Sequence, residues 1–289
     1  MKPTILILML LCGITLSYSQ TPTDIYLFDV SMKKDKITLS HPVNITNHKG
    51  YDNQPSFHPN LPLVYYSSFN DDGRADIKSY NYKTQQTVSI TKTSEREYSP
   101  LVTPEKQYVS CIIQRDNGAQ DLGKYPIDGS GEPSIIIDNM IIGYHVWTDN
   151  SHLGLFVLGE PHTLHYLLLP MKRDTVIASN IGRSLHRIPN ETAFSFVQKN
   201  DGKDWQIMKF NTRTKKISLI GPAITSREDL CWTPDGRILM SDGPKIFYMK
   251  PGEAGWTEVL VNAGASILKD VTRLAISPDG KKLAVVVSE

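Results

Sequence analysis

The sequence is poor in cysteine, carries no excess of either charge, and has no segment with a sustained helical period. Each absence excludes a class of protein. Three cysteines in 289 residues cannot staple a small disulfide scaffold. A formal net charge of +1, from 31 basic and 30 acidic residues, gives no electrostatic reason to expect nucleic acid or an anionic membrane surface as partner. No Gly-x-Ser-x-Gly elbow and no segment left over for an α/β-hydrolase domain can be found, nor a Walker motif or dinucleotide fingerprint. The one long apolar run, from Ile5 to Ile14, falls short of the roughly 20 residues a membrane span requires.

That run follows Lys2 and precedes Ser17-Tyr18-Ser19, small residues at the spacing a signal peptidase reads. Residues 1–19 therefore read as a signal peptide cleaved near Ser19-Gln20, which makes the mature chain a periplasmic or secreted protein. A lipoprotein anchor at Cys12 is disfavoured, because Leu10 and Leu11 stand where small residues are needed. Export leaves Cys111 and Cys231, which the repeats below place on opposite sides of a ring. That separation exceeds the ~7 Å limit for a disulfide, so both are expected to be buried free thiols acting as small apolar residues.

What the chain does have is a repeat. A signature of an apolar residue, then Ser/Thr, Pro, an acidic or amide residue and often Gly, returns about every 45 residues. Its copies are Phe57-His58-Pro59-Asn60, Val102-Thr103-Pro104-Glu105, Trp147-Thr148-Asp149-Asn150, Ile188-Pro189-Asn190-Glu191, Trp232-Thr233-Pro234-Asp235-Gly236 and Ile276-Ser277-Pro278-Asp279-Gly280. Proline ends ladder pairing and Asp-Gly supplies the turn, so the signature has a structural job. After each copy comes an apolar alternating run, a polar turn such as Asn70-Asp71-Asp72-Gly73, and two further strand-like segments. That turn hints at a calcium loop, but Tyr82 stands where the bidentate Glu belongs, leaving a plain hairpin.

Four short strands per repeat make one blade of a propeller. The last repeat stops after two strands, while the mature N-terminus supplies two unmatched ones, at Asp24–Val30 and Pro42–Thr46. Pairing them yields an all-β fold: a six-bladed β-propeller of four-stranded antiparallel blades spanning residues 20–289, closed by the N-terminal strands completing the C-terminal blade. Closure also removes exposed sheet edges.

The Trp232–Gly236 and Ile276–Gly280 signatures, with hairpins entering Asp76-Ile77 and Asp24-Ile25-Tyr26, resemble the TolB-type β-propeller repeat family. The likeness covers roughly residues 21 to 289; it departs where Asp149 replaces the proline and where Pro189 sits one place early. What the resemblance implies is an interaction scaffold of the bacterial cell envelope. Some TolB-like propellers instead cleave acidic sugars with channel histidines and a metal.

Propellers bind at the axial channel, so the residues before each signature are the candidate site: Asp52 and Gln54, Arg96 and Glu97, Tyr144 and His145, Arg183 and His186, Arg227 and Asp229, and Arg273. Acids and bases are mixed, so the channel mouth is expected to be polar without a dominant sign. His145 and His186 occupy matching places in neighbouring blades and are the residues that would hold a metal, with Glu97 or Tyr144 completing the set. Neither a metal nor another cofactor is required by any motif. The residues favour a monomeric, non-catalytic module binding an envelope protein or peptide. The alternatives are a carbohydrate-active lyase or hydrolase, in which His145, His186, Tyr144 and Arg183 would serve as ligands, base and anion clamp, and a small-molecule sensing module.

Overall fold

The structure, a computed structural model, describes residues 21–289 apart from Asp35, Lys203 and Ala254. The proposed signal peptide lies outside the described residues. The chain forms six antiparallel blades arranged as a ring. Blade 1 comprises Asp52–Phe57, Leu63–Phe69, Ala75–Asn81 and Gln86–Ser89. Blade 2 comprises Arg96–Val102, Tyr108–Gln114, Gln120–Pro126 and Ser134–Ile137. Blade 3 comprises Ile142–Trp147, His152–Val157, Thr163–Leu168 and Arg173–Ser179. Blade 4 comprises His186–Arg187, Ala193–Gln198, Gln206–Asn211 and Ile217–Pro222. Blade 5 comprises Leu230–Trp232, Ile238–Ser241, Ile246–Met249 and Thr257–Glu258. Helix is confined, among the described residues, to two single 3-10 turns at Leu169–Met171 and Ala265–Ile267.

Blade 6 joins the two ends of the chain. Its inner strands, Val271–Ile276 and Lys282–Ser288, are C-terminal, and Thr23–Lys33 and Lys36–Asn44 complete it. The seam runs antiparallel from Thr23 opposite Ser288 to Asp29 opposite Lys282. The outer strand begins earlier than Pro42, because the alternation of Ile37 and Leu39, both fully buried, already fits a strand. The outer edge of blade 5 breaks at Val259, after Thr257–Glu258. Leu260–Val261 then crosses to pair in parallel with Thr38 and Leu39 of blade 6.

Each signature closes the turn between a blade's first two strands. The Ser/Thr backbone N–H donates across it, from Thr103 to Tyr108 O, Thr148 to His152 O, Thr233 to Arg237 O and Ser277 to Lys282 O. Where a copy departs from the pattern, another group takes over. His58 Nδ1 accepts from the Asn60 and Leu61 amides at 2.9 Å each. In blade 3, Asp149 Oδ1 accepts from the Ser151 and His152 amides. Both devices are Asx-like turn closures: the first stands in for a missing Ser/Thr and the second for a missing proline.

The core lies between neighbouring sheets rather than at one centre. Phe194, Phe196, Phe210, Tyr166 and Leu164 fill the gap between blades 3 and 4. Gly154 permits this packing, because a Cβ there would meet Phe194 Cζ at 2.9 Å. A second device recurs in alternate blades. Trp147 Nε1 donates to Ser110 Oγ, and Trp232 Nε1 to Ser195 Oγ, each at 2.8 Å, tying one blade to the next. Cys111 and Cys231 are both buried free thiols, and burial holds each well above the usual thiol range. No helix among the described residues is long and apolar enough to cross a membrane.

If the seam holds the ring shut, trimming its best-buried side chain should be costly. Phe28 is fully buried against Leu239, Leu283 and Val285, so Phe28→Ala should lose about 3–5 kcal/mol in chemical denaturation. A loss within the range of an exposed substitution would show that the seam carries little of the stability.

Candidate functional site

The inner strands of all six blades converge on an axial channel, which is divided into two chambers. The chamber at the signature end has a volume of about 430 Å³ and is walled by Pro55, Phe57, Pro100, Leu101, Trp147 and Leu185 among its apolar residues. The chamber at the opposite end, about 570 Å³, is lined by Tyr51, Asn53, Tyr98, Gly143, Asp270 and Thr272 among others. Gln54, Tyr144, Arg183 and Arg273 belong to both walls and form the septum between them.

The septum is a network built around one carboxylate. Arg273 donates from Nη1 to Asp229 Oδ1 at 2.8 Å, from Nη2 to the Tyr144 hydroxyl at 2.7 Å, and from Nε to Asn53 Oδ1 at 3.2 Å. Arg183 donates from Nη2 to Asp229 Oδ2 at 2.7 Å and from Nε to Oδ1 at 3.3 Å. Glu228 reaches the same arginine from behind, accepting from its backbone N–H at 3.0 Å, and pairs with Lys199 at 2.9 Å. Burial alone would raise the Asp229 carboxyl, but Arg273 and Arg183 outweigh it and hold it below the usual carboxylate range. Blades 1, 3, 4, 5 and 6 thus meet at one point.

Two residues of the wall have unusual backbones. Gln54 and Ser99 take positive φ, 57° and 56°, each preceding a proline and each at a break in strand register. Non-glycine residues in this region cost on the order of 1–2 kcal/mol. Gln54 Oε1 offsets part of that by accepting from the Ser99 amide at 2.7 Å and from Ser67 Oγ at 3.0 Å, linking the bulges of blades 1 and 2.

Both histidines line the signature-side chamber, but their Nε2 atoms are engaged within the protein. His145 Nε2 lies 2.8 Å from Ser110 Oγ, the hydroxyl that also receives Trp147. His186 Nε2 lies 3.1 Å from Ser184 Oγ. Burial lowers the pKa of His145 to about 3 and of His186 to about 4. His145 Nδ1, Ser56 Oγ and Ser99 Oγ are buried with no hydrogen-bond partner among the described residues. All three belong to the wall of this chamber.

Of the residues expected at the channel, Gln54, Tyr144, His145, Arg183, His186, Asp229 and Arg273 do line it. The other four lie elsewhere. Side chains alternate along a strand, so with Tyr98 in the wall, Glu97 turns into the joint between blades 1 and 2. There it accepts from Thr93 Oγ1 at 2.6 Å, Tyr125 OH at 3.0 Å and Thr91 Oγ1 at 3.1 Å, so it cannot serve as a third ligand beside the histidines. Asp52 is buried and pairs with His48 Nδ1 at 2.7 Å. Arg96 reaches Asp116 at 2.7 Å on an outer hairpin, and Arg227 bonds Asp242 O on a loop. The expectation of mixed charge is also corrected. The signature-side wall carries Lys106, Arg183, Arg187 and Arg273 against Asp229 alone. Tyr51, Asn53, Tyr98 and Ser99 were not anticipated; Gln54-Pro55 and Ser99-Pro100, the same kind of dipeptide at one repeat position, were the available signal.

Solved structures with the same fold include TolB from Acinetobacter baumannii, with TM-score 0.58 and 11% identity over 93% of this chain, which spans 64% of that one. A TolB protein, described as putative, from Agrobacterium tumefaciens gives TM-score 0.68 and 12% identity, covering 93% of this chain and 99% of that one. An oligogalacturonate lyase in complex with manganese gives TM-score 0.60 and 14% identity over 86% and 80%. No family model matches the sequence, and no curated protein does. The chain is a six-bladed β-propeller with an axial channel. Its architecture is TolB-like, as the repeats implied.

Two outcomes follow from this electrostatics. Asp229→Asn removes the carboxylate shared by two guanidinium groups, leaving Arg273 with none and Arg183 with Glu228 alone, and should cost about 3 kcal/mol in urea denaturation; an unchanged midpoint would deny the septum its central carboxylate. Acid should also destabilise the fold. In the unfolded chain both histidines titrate near 6.5, whereas in the folded chain they stay neutral down to about 4 and about 3. Stability is therefore complete above pH 6.5 and falls as pH drops, by about 2 kcal/mol per histidine at pH 5. Melting temperature against pH should show this slope, and it should flatten in His145→Gln.

Proposed function

We propose that this chain is an exported, non-catalytic propeller that captures a protein or peptide segment in its channel, acting as a binding scaffold in the bacterial cell envelope. The observation that supports it best is the signature-side chamber. Its volume falls within the range of ligand-binding cavities. Its wall combines prolines and aromatics with a few polar side chains, among them Gln54, Tyr144 and Arg183. Apolar contacts with a few polar groups suit an extended segment, whose side chains take the apolar wall and whose amides offer hydrogen bonds. The TolB-like fold supports an interaction role by analogy only.

A second reading is a lyase or hydrolase acting on carbohydrate, and the fold shared with a manganese-bound oligogalacturonate lyase favours it. Against it stand the serine hydroxyls already on His145 and His186. Among the described residues, no group of three or more His, Cys, Asp or Glu is placed to hold a metal.

Obstructing the chamber separates the two. Leu101→Trp places an indole in the chamber wall, and Val88→Trp, on the exposed outer strand of blade 1, serves as control. Envelope proteins crosslinked to the mature chain should be lost with Leu101→Trp and kept with Val88→Trp. Manganese binding that disappears with His145→Ala and His186→Ala, together with turnover of an oligosaccharide, would install the second reading instead.

A further inference from the structure

We infer that the signature-side chamber selects an acidic segment, with one carboxylate of the ligand seated on the Arg183–Arg273 septum and another against Lys106 and Arg187 at the mouth. The inference rests on the channel-binding reading and adds the chemistry of what is bound. Four cations and one carboxylate line this wall, whereas the whole chain is balanced at 31 basic and 30 acidic residues. The imbalance is therefore local. The opposite chamber shares the two arginines but adds Asp270, so the excess belongs to the signature side.

The cations stand at two depths. Arg183 and Arg273 are held inside the channel by Asp229 and keep unused donors. A guanidinium has five N–H groups; Arg273 spends three on Asp229, Tyr144 and Asn53, and Arg183 spends two on Asp229. Asp229 lies between the two guanidinium groups, and Glu228, 3.6 Å from Arg183 Nε, is itself paired with Lys199. Three cations against two carboxylates leave one net positive charge in a half-buried place, where Coulomb terms exceed those in bulk water. Lys106 and Arg187 are exposed at the outer end of the same wall. Neither forms an ion pair with a carboxylate among the described residues, so both charges are open to a ligand at the channel mouth. Lys106 is itself the left-handed residue of the blade 2 signature turn, φ 63°, and its amide donates to Thr103 O at 2.8 Å. Two cations without a carboxylate partner at the mouth and two with spare donors within define a track for spaced acidic side chains. Prolines 55, 59, 100 and 104 give that track stiff apolar walls between the charged points.

The mature chain, probed on an array of extended peptides of varied sequence, should enrich Asp and Glu over Lys and Arg. For the best binder, replacing its acidic residues by Gln should weaken binding at least about tenfold, equivalent to ~1.4 kcal/mol, and raising salt should narrow the gap. Lys106→Gln with Arg187→Gln, both exposed and therefore safe for folding, should remove most of the acidic preference while leaving the melting temperature unchanged. Arg273→Gln tests the inner point, with circular dichroism to report the fold. Equal affinity for the acidic and Gln peptides overturns the inference and leaves the binding reading intact. Absence of any peptide binding overturns both. Trigalacturonate that binds where peptides do not would keep the carboxylate chemistry but reject the peptide as its source, and so overturns the proposal as stated.

Discussion

Everything in this molecule depends on the antiparallel ladder between Thr23–Asp29 and Lys282–Ser288. A propeller blade contacts only its neighbours, so the ring has no common core to fall back on if one joint opens. At the seam the two ends of the chain, more than 250 residues apart in sequence, meet through fully buried Ile25, Phe28, Val285 and Val286. Long loop closure costs entropy once, and slowly with length. The ordered ladder and the buried side chains offset it, and the channel geometry follows from the closure.

The septum shows what the channel does with that geometry. Asn53, Tyr144, Arg183, Asp229 and Arg273 come from five blades, yet their polar atoms sit within hydrogen-bonding distance of one another. A charged network of this kind contributes little net stability, because desolvation offsets attraction. Its effect is positional. Arg183 and Arg273 are held by Asp229 at a fixed depth, and with Lys199 set against Glu228 the group keeps one net positive charge, so the channel has an electropositive floor. The apolar and proline-rich wall above it completes a cavity that discriminates by charge as well as shape.

The ring was legible in the sequence because the signature recurs at a nearly constant spacing and because the unmatched strands at the two ends are complementary. The site was legible only in part, and the reason is local. Reading back from each signature assumes regular alternation, but the inner strands of blades 1 and 2 carry bulges at Gln54 and Ser99 that shift the phase. Regular alternation points to Arg96 and Glu97, whereas Tyr98, Ser99 and Pro100 form the wall. In blades 4 and 5 the inner strands are short, so Arg183 and Asp229 lie just ahead of them and were found by position alone. The local charge excess was invisible because Lys106 and Arg187 belong to turn and exposed strand positions that composition averages away. The substitution of Asp149 for proline misled nothing, since its carboxylate closes the same turn.

The crossing of Leu260 and Val261 onto the outer strand of blade 6 has a consequence for how the molecule meets its neighbours. Elsewhere the outermost strands, such as Gln86–Ser89 and Ile217–Pro222, end their sheets with open backbone groups and exposed Val88 and Leu219. At the seam blade, part of that border is already taken by the chain itself. Strand-on-strand association between molecules is thereby steered toward the other flanks, and the joint where head meets tail is shielded from being pried apart by a foreign strand.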